Sequence, residues 1–155
     1  MASIEEEIKS RFQNDRHKAL VNLIYTANWV TSDLDCFLKK HQLTSQQYNM
    51  LRILRGAHPE PVSLKYIRER MLDKMSDVSR MTEKLAKKGY IDRWQSEDDR
   101  RIVNVIINKR GLALLKLADQ DVLQIEAKFG VLSNEEVLQL NYLLDKLRTA
   151  GKVCN

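Results

Sequence analysis

Two short stretches of the chain carry side chains that are suited to binding a polyanion. The first places small hydroxyl and charged side chains at helical spacing, namely Ser76, Asp77, Ser79, Arg80 and Lys84. Hydroxyls in the first turn of a helix suit phosphate oxygens, and a guanidinium matches the paired acceptors of a guanine edge. The second stretch is the run Asp99-Arg100-Arg101. The first stretch predicts contacts with nucleic acid, and its alternative is plain solvation. The second stretch is, from its residues alone, an exposed ion pair in a turn, which contributes little to stability.

The distribution of charge supports the first interpretation. The chain has 155 residues and a net charge of +5. Residues 44–111 carry fifteen basic and nine acidic side chains, whereas residues 1–43 are neutral and residues 112–155 have a net charge of −1. A basic middle between neutral flanks predicts a polyanion-binding surface on a neutral scaffold. Asp77 and Glu83 oppose this trend, and Asp77 either accepts a hydrogen bond from a cytosine amine or favours a helix N-terminus.

The residue types that enzymes and metal sites use are scattered. Cys36 and Cys154 are too few for a thiolate zinc site, and the acidic triplet 97–99 lacks the spacing of a calcium loop. There is no glycine-rich phosphate loop, and no zinc-binding or redox motif includes the histidines His17, His41 and His58. We therefore expect no enzyme activity, no metal and no cofactor. A small hydrolase with a hidden site is kept as an alternative.

Composition predicts a mostly helical globular protein. Hydrophobic residues make up 43% and charged residues 30%, with only five glycines and two prolines. No apolar run approaches the ~18 residues of a membrane helix. Residues 1–12 are acidic and polar and lack a signal-peptide core. We expect a cytoplasmic protein that does not enter the membrane.

Apolar periodicity and capping residues place the first helices. A stripe from Leu20 to Leu38 predicts an amphipathic helix of about 30 residues that ends near Lys40. Later helices are predicted from Thr44, capped reciprocally by Gln47 and stopped by a left-handed Gly56, and from Ser63 to Met71. Residues 58–61 form a loop. A further helix is predicted from a cap at Ser76 to Lys88, with a stop at Gly89.

A change of periodicity marks two strands. Residues 90–95 and 101–107 are rich in aromatic and β-branched residues, and the polar turn 96–99 between them predicts a hairpin. Asn108 is placed to cap a helix that ends at Gly130, and Ser133 with Glu136 forms a capping box for a last helix ending near Gly151. The fold is therefore mainly α with a small β-hairpin. Three short helices before a hairpin match a winged helix-turn-helix, in which the helix at 76–88 enters a major groove.

A longer motif begins at Asp99. After Asp99 and Arg101 come two aliphatic residues, Val105 and Ile107, then a capping Asn108 and a glycine at 111. This pattern resembles the wing signature of the MarR family of bacterial transcription regulators, with asparagine where threonine is usual. Residues 78–91 are similar to the family's recognition helix and its exit. The resemblance covers essentially the whole chain.

The resemblance implies an obligate homodimer that binds double-stranded DNA. Residues 1–43 and 112–155 would form helical dimerisation segments around a winged helix-turn-helix lobe at 44–111, all in one intertwined domain. The dimer would recognise a pseudo-palindrome, most often as a repressor. Arg101 would enter the minor groove, Asp99 would hold the wing or its arginine, and Arg100 would contact phosphate. The rival is a helical protein-interaction module that uses a winged helix only as a platform.

Family members often release DNA when a small phenolic acid binds between the dimer helices and the DNA lobe. Residues placed for such an effector pocket are Tyr25, Trp29, Tyr48 and Arg52, and the alternative for them is ordinary core aromatics and a surface arginine. Other members sense oxidants through a cysteine near the start of the first helix. Cys36 lies near the end of that helix, where a small buried apolar residue is the favoured interpretation.

Overall fold

The computed structural model describes residues 2–149, and these are mainly helical around a small sheet, which confirms the predicted fold class. The helices are α1 (Ile4–Ile8), α2 (Asp15–Lys39), α3 (Ser45–Ala57), α4 (Leu64–Arg70), α5 (Val78–Lys87), α6 (Lys109–Lys128) and α7 (Asn134–Arg148). The strands are β1 (Val62–Ser63), β2 (Ile91–Gln95) and β3 (Val103–Ile107). Helix α1 and strand β1 were not expected from the sequence. The predicted stop at Gly151 and Cys154 lie outside the described residues.

Most helix starts lie where the capping residues predict them. Thr44 and Gln47 form a reciprocal capping box at α3, and Ser133 and Glu136 do so at α7. Asn108 begins α6 by accepting a hydrogen bond from the amide of Gly111 at 3.1 Å. Each bond satisfies amides that would otherwise lack a partner at a helix start. Local chemistry therefore sets where these helices begin.

Glycines end fewer helices than predicted. Gly89 follows α5 with a φ of 74°, the left-handed conformation that the sequence predicts. The predicted left-handed stop at Gly56 is wrong, because Gly56 lies inside α3 and does not have a positive φ. The helix ends instead at His58, which is extended because it precedes Pro59. Gly111 has a packing role, since a β-carbon there would lie 2.2 Å from the carbonyl oxygen of Tyr90.

The sheet has three antiparallel strands in the order β1-β3-β2. The predicted two-stranded hairpin is present, with Ile91 opposite Ile107 and Gln95 opposite Val103. The third strand corrects the prediction, because Val62 and Ser63 pair with the other edge of β3. Such a pairing joins residues more than forty positions apart, so local sequence patterns do not reveal it. It makes β3 the central strand and anchors the base of the hairpin.

One core joins the sheet to the helices around it. The largest fully buried side chains come from α2, α3, α4, α5, both long strands and α6, and include Leu38, Leu51, Leu54, Ile67, Leu85, Val105 and Leu115. Polar contacts add to this core. Asp121 of α6 accepts hydrogen bonds from Lys40 Nζ at 2.5 Å and His41 Nε2 at 2.6 Å, which ties the end of α2 to α6. These bonds hold the pKa of Asp121 below its usual range.

The apolar stripe of α2 stays largely outside this core. Only Leu38 of that helix is buried, whereas the side chains of Leu20 and Ile24 are 57% and 54% exposed. Cys36 is also exposed, which contradicts the expectation of a buried apolar cysteine. The described residues form two compact units, one up to Val122 and one from Leu123 onward. None of the described helices combines the length and apolarity needed to cross a bilayer.

Candidate nucleic-acid interface

The start of α5 is set by Asp77. Its Oδ1 accepts a hydrogen bond from the amide of Arg80 at 3.0 Å, so Asp77 is the N-cap and the helix begins at Val78. The predicted cap at Ser76 is wrong, because the Ser76 hydroxyl donates to Asp73 Oδ2 at 3.1 Å. Serine and aspartate are equally good caps, so the turn at 73–76 decides which of the two is used. The helix therefore begins one residue later than predicted, and Ser76 lies just before its N-cap.

The two faces of α5 have opposite character. Val78, Thr82 and Leu85 are buried, and Met81 is half-buried beside them. The outer face carries Arg80, Lys84 and Lys87, which are exposed. The spacing of Val78, Met81 and Leu85 by three and four residues places them on one side of the helix, and Thr82 lies beside them. The helix thus presents a basic face, and its other face is fixed against the core.

A surface groove of about 260 Å³ lies along the first turns of α5. It gathers Ser76, Asp77, Arg80 and Lys84, four of the residues that the sequence assigns to DNA. Ser79 is half-buried and does not line this groove. The opposite wall is the start of α3, with Thr44, Gln46 and Gln47. Thr44 and Gln47 were predicted only as caps, and no sequence pattern around Gln46 indicates that these residues face α5.

The hairpin extends from the same lobe and carries the second predicted stretch at its tip. Asp99 Oδ1 accepts a hydrogen bond from the amide of Arg101 at 2.9 Å, and the Asp99 carbonyl accepts from the amide of Ile102 at 2.9 Å. Asp99 thus folds the tip through backbone bonds. Arg100 and Arg101 are exposed, and neither guanidinium is in an ion pair with any of the described residues. Both cations are available to a polyanion.

An ion pair connects the hairpin to α5. Glu83 on the exposed side of α5 lies 3.0 Å from an Nη of Arg93 on β2. From the sequence alone, the charge of Glu83 opposes a polyanion-binding surface. In the structure Arg93 offsets that negative charge, so the basic face formed by Arg80 and Lys84 is not cancelled by it.

Two residues predicted for an effector pocket share one cavity. Tyr48 and Arg52 of α3 line a cavity of about 470 Å³ together with residues of α2, α6 and the loop before α5. The guanidinium carbon of Arg52 lies 5.8 Å from the centre of the Tyr48 ring. Leu34 and Leu72 provide apolar walls, and Asn49 and Asp73 provide polar ones. The cavity therefore combines a cation, an aromatic ring and apolar surface.

Tyr48 is held in place by a polar network with α6. Its hydroxyl donates to Asp119 Oδ1 at 2.7 Å, and Arg55 forms an ion pair with the same carboxylate. Burial and the Asp119 carboxylate raise the pKa of Tyr48 well above its usual range, so the phenol stays protonated. Burial opposes ionisation of Asp119, but the hydrogen bonds from Tyr48 and Arg55 outweigh it and lower its pKa. The Tyr48 ring is thus a fixed wall of the cavity.

The other two predicted pocket residues lie in a separate cavity. Tyr25 and Trp29 of α2 line a space of about 730 Å³ beside the start of the chain and α1. The Tyr25 hydroxyl donates to Glu7 Oε2 at 2.7 Å, and Ile4 of α1 is buried. The four residues do not meet at one site in this chain, because α1 occupies the face of α2 that carries Tyr25 and Trp29.

The part of the chain that carries the groove matches a known protein family. The model of the MarR family matches residues 43–103, which include α3, α4, α5 and the hairpin as far as the first residue of β3. An HTH-type transcriptional regulator of Bacillus cereus is 30% identical over 113 residues, which cover 72% of this chain and 74% of that protein. Among the residues that the structure describes, no group of three metal-ligating side chains comes together.

Two solved structures extend the likeness over most of the chain. A MarR transcription factor from Planctomyces limnophilus is 30% identical, with a TM-score of 0.68, and the match covers 87% of this chain and 98% of that one. MepR of Staphylococcus aureus in complex with DNA has a TM-score of 0.76 at 20% identity, covering 91% and 100%. The chain therefore belongs to the MarR family of transcription regulators, and the expectation that it is not an enzyme is confirmed.

Proposed function

We propose that the chain acts in the cytosol as a repressor that binds a pseudo-palindromic operator as a homodimer. The observation that supports this best is the groove along α5. It brings the predicted DNA-contacting residues of α5 together with the polar start of α3, beside an unpaired basic hairpin tip. Groove, helix and tip are the parts that a winged helix needs to hold a duplex.

Base recognition in this proposal rests on the first half of α5. Arg80 is exposed and lines the groove, so its guanidinium is placed to donate to the two acceptors of a guanine. One oxygen of Asp77 is used by the Arg80 amide, and the other is open to a cytosine amine. Ser76 and Ser79 contribute small polar groups near the phosphates, and Lys84 adds a charge one turn further along the helix. Arg101 enters the minor groove from the hairpin, and Arg100 contacts phosphate.

A second copy of the chain is the proposed partner of the exposed apolar helices. The stripe of α2 includes Leu20 and Ile24, both more than half exposed, and α7 has no buried residue. On α7, Leu138 is 70% exposed. Apolar stripes of this length rarely stay in water on a stable protein. A two-fold dimer would cover them and place two copies of α5 about one helical turn of DNA, ~34 Å, apart.

The proposed effector is a small aromatic acid that binds the cavity of Tyr48 and Arg52. A carboxylate would pair with Arg52, and a ring would pack between Leu34, Leu72 and the fixed Tyr48 ring. Asp73 in the same wall disfavours a second negative charge on the ligand. Titration with monohydroxybenzoates would test this, with uncharged benzamide as the control. Arg52→Ala should remove the acid's effect on DNA binding, and an unchanged response would contradict the assignment.

Selection from random duplex DNA at two salt concentrations tests the function directly. Enrichment of a pseudo-palindrome with half-sites one turn apart would support the proposal. The logarithm of the affinity should fall by about 0.9 per contacted phosphate for each unit of the logarithm of salt concentration. No enriched sequence and no salt-dependent affinity would favour the rival protein-interaction module.

The role of the hairpin tip is tested by Arg101→Ala. Removal of a side chain from the minor groove should weaken binding to the selected operator by about 1–3 kcal/mol and relax the sequence preference at the contacted positions. Arg11→Ala is a matched control, because Arg11 is exposed and lies outside the lobe. Fluorescence anisotropy with labelled operator measures both. Unchanged affinity and preference in the Arg101 variant would overturn the role of the tip.

A further inference from the structure

A second and larger groove, of about 540 Å³, lies next to the groove along α5. Four lysines line it: Lys39 at the end of α2, Lys84 and Lys87 on α5, and Lys88 just after α5. Asp35 is the single carboxylate among its lining residues. Lys84 also lines the first groove, as do Thr44 and Gln47, so the two grooves adjoin each other.

The positive charge in this lysine groove is not neutralised within the described part of the chain. None of the four lysines is in an ion pair with a described residue. Asp35 Oδ1 accepts the amide of Ser45 at 3.1 Å, and Lys88 Nζ donates to the carbonyl of Gln42 at 2.6 Å. Several ammonium groups around one groove repel each other, so the free protein carries a cost that a bound polyanion would remove.

We propose that the lysine groove holds the phosphate backbone of bound duplex DNA beyond the part that α5 contacts through its first turns. The inference rests on the proposed function. Arg80, Lys84 and Lys88 follow each other at intervals of four residues, so they lie on one face of the helix. The rise from Arg80 to Lys88 is about 12 Å, and one strand of a duplex carries a charge every ~3.4 Å of axis. The row is several times longer than this spacing of charges, so it can reach more than one phosphate of a strand.

Helix electrostatics alone does not explain the cluster. Lysines in the last turn of α5 interact favourably with the negative end of the helix dipole, which accounts for Lys87 and Lys88. Lys39 lies in the last turn of a different helix, α2, and interacts with the dipole of that helix. Neither dipole explains why the ends of the two helices bring their lysines to one groove. This convergence favours an extended anion that meets both helices. All four lysines are exposed, as groups that follow a long strand need to be.

The test is the double variant K39Q/K87Q, which removes two charges from the groove. Lys84 is kept because the proposed function already uses it, and Lys88 is kept because it holds the carbonyl of Gln42. The matched control is K9Q/K116Q, which removes two charges from exposed positions outside both grooves. Affinity for the selected operator is measured over a range of salt concentrations for the wild type and both variants.

The groove variant should show a shallower salt dependence than the control, by about 0.9 for each phosphate that the variant no longer neutralises. Its sequence preference should stay that of the wild type, and its melting temperature should not fall below that of the control. Equal salt slopes in the two variants would overturn the proposal while leaving the operator binding of the wild type intact. A wild type without specific binding would overturn the proposed function as well.

A free anion is the competing occupant of the groove. Titration with inorganic pyrophosphate at constant ionic strength, without DNA, separates it from the backbone of a duplex. If the wild type binds pyrophosphate and the groove variant does not, while their DNA salt slopes agree, the groove takes free phosphate anions and the proposal fails. Unequal slopes with no measurable pyrophosphate binding would support the duplex as the occupant.

Discussion

The lobe around α5 and the long helix α2 differ in how their apolar residues are used. In the lobe, apolar side chains such as Leu51, Ile67, Leu85 and Val105 are fully buried against each other. In α2 only Leu38 is buried, and apolar residues earlier in the helix remain exposed. The same residue types thus form a finished core in one region and an uncovered surface in the other. The lobe is complete within one chain, whereas the exposed apolar face of α2 is the surface that the proposed dimer would cover.

If a second copy covers α2, as proposed, the two regions contribute to stability in different ways. A core within one chain contributes the same free energy at any protein concentration. A surface covered by a second copy contributes only through association, so its effect depends on concentration. The effect of a substitution on stability should therefore depend on protein concentration in α2 and α7, but not in the core of the lobe.

The largest expected effect comes from breaking the surface of α2. L20E/I24E would place two carboxylates in the proposed dimer interface, where unpaired charges are strongly disfavoured. Sedimentation should show a monomer, and operator affinity should fall by about 10²–10⁴-fold because two linked half-site contacts become one. S32E/C36E adds the same charge at exposed positions elsewhere on α2 and should stay dimeric. If L20E/I24E stays dimeric and binds the operator with normal affinity, the proposed burial of this face of α2 by a second copy is wrong.

The core of the lobe should respond differently. Leu85→Ala should lower the free energy of unfolding by about 2–5 kcal/mol, because Leu85 is fully buried and its truncation leaves a cavity. Denaturant unfolding measures this, and the loss should be equal at low and high protein concentration. Leu147→Ala on α7, where Leu147 is 58% exposed, sharpens the contrast. Its cost should vary with protein concentration, and a constant cost would argue against burial by a second copy.

The hydrogen bonds between the end of α2 and Asp121 of α6 should make the free energy of unfolding depend on pH. Hydrogen bonds from Lys40 and His41 lower the folded-state pKa of Asp121, so its stabilising contribution is present above the unfolded pKa. That contribution is lost as the pH falls through the folded pKa. Asp121→Asn should therefore be less stable than the wild type at pH 7, and the gap should narrow below about pH 4. Unfolding curves across this range measure it, and a gap that widens in acid would contradict the assignment.

The smallest effect is expected at the ion pair between α5 and the hairpin. The Glu83 side chain is half exposed, so the Glu83–Arg93 pair should contribute only about 0.2–1 kcal/mol to stability. A double-mutant cycle with Glu83→Gln and Arg93→Gln isolates this coupling. Coupling well above 1 kcal/mol would show that the hairpin is held to α5 more rigidly than a solvated pair allows.

Sequence reasoning succeeded where the determining contacts are local. The capping boxes at Thr44 and Ser133 lie within three residues of their partners, and Gly89 needs only its own backbone to be left-handed. The choice between Ser76 and Asp77 failed because two good caps are adjacent. Only the turn made by Asp73 distinguishes them, and that turn is a product of the folded loop.

Contacts between distant parts of the chain were not predictable in the same way. The pairing of Val62 with Val105 depends on how α3 and α4 return the chain to the sheet. The groove that joins the start of α3 to α5 has the same origin, and no pattern around Thr44 or Gln46 indicates it. The candidate residues could be identified from the sequence, but their common surface required the fold.

The closed tip of the hairpin has an evolutionary consequence. Sheet pairing ends at Gln95 and Val103, and residues 96–102 are held by bonds among themselves, such as the amide of Ser96 to the carbonyl of Ile102 at 2.9 Å. Loop tips of this kind tolerate substitution and insertion without loss of the domain. Lineages that share this scaffold are thus free to change the tip while the central strand stays the same, and under the proposed function such changes would alter the DNA positions that the tip contacts.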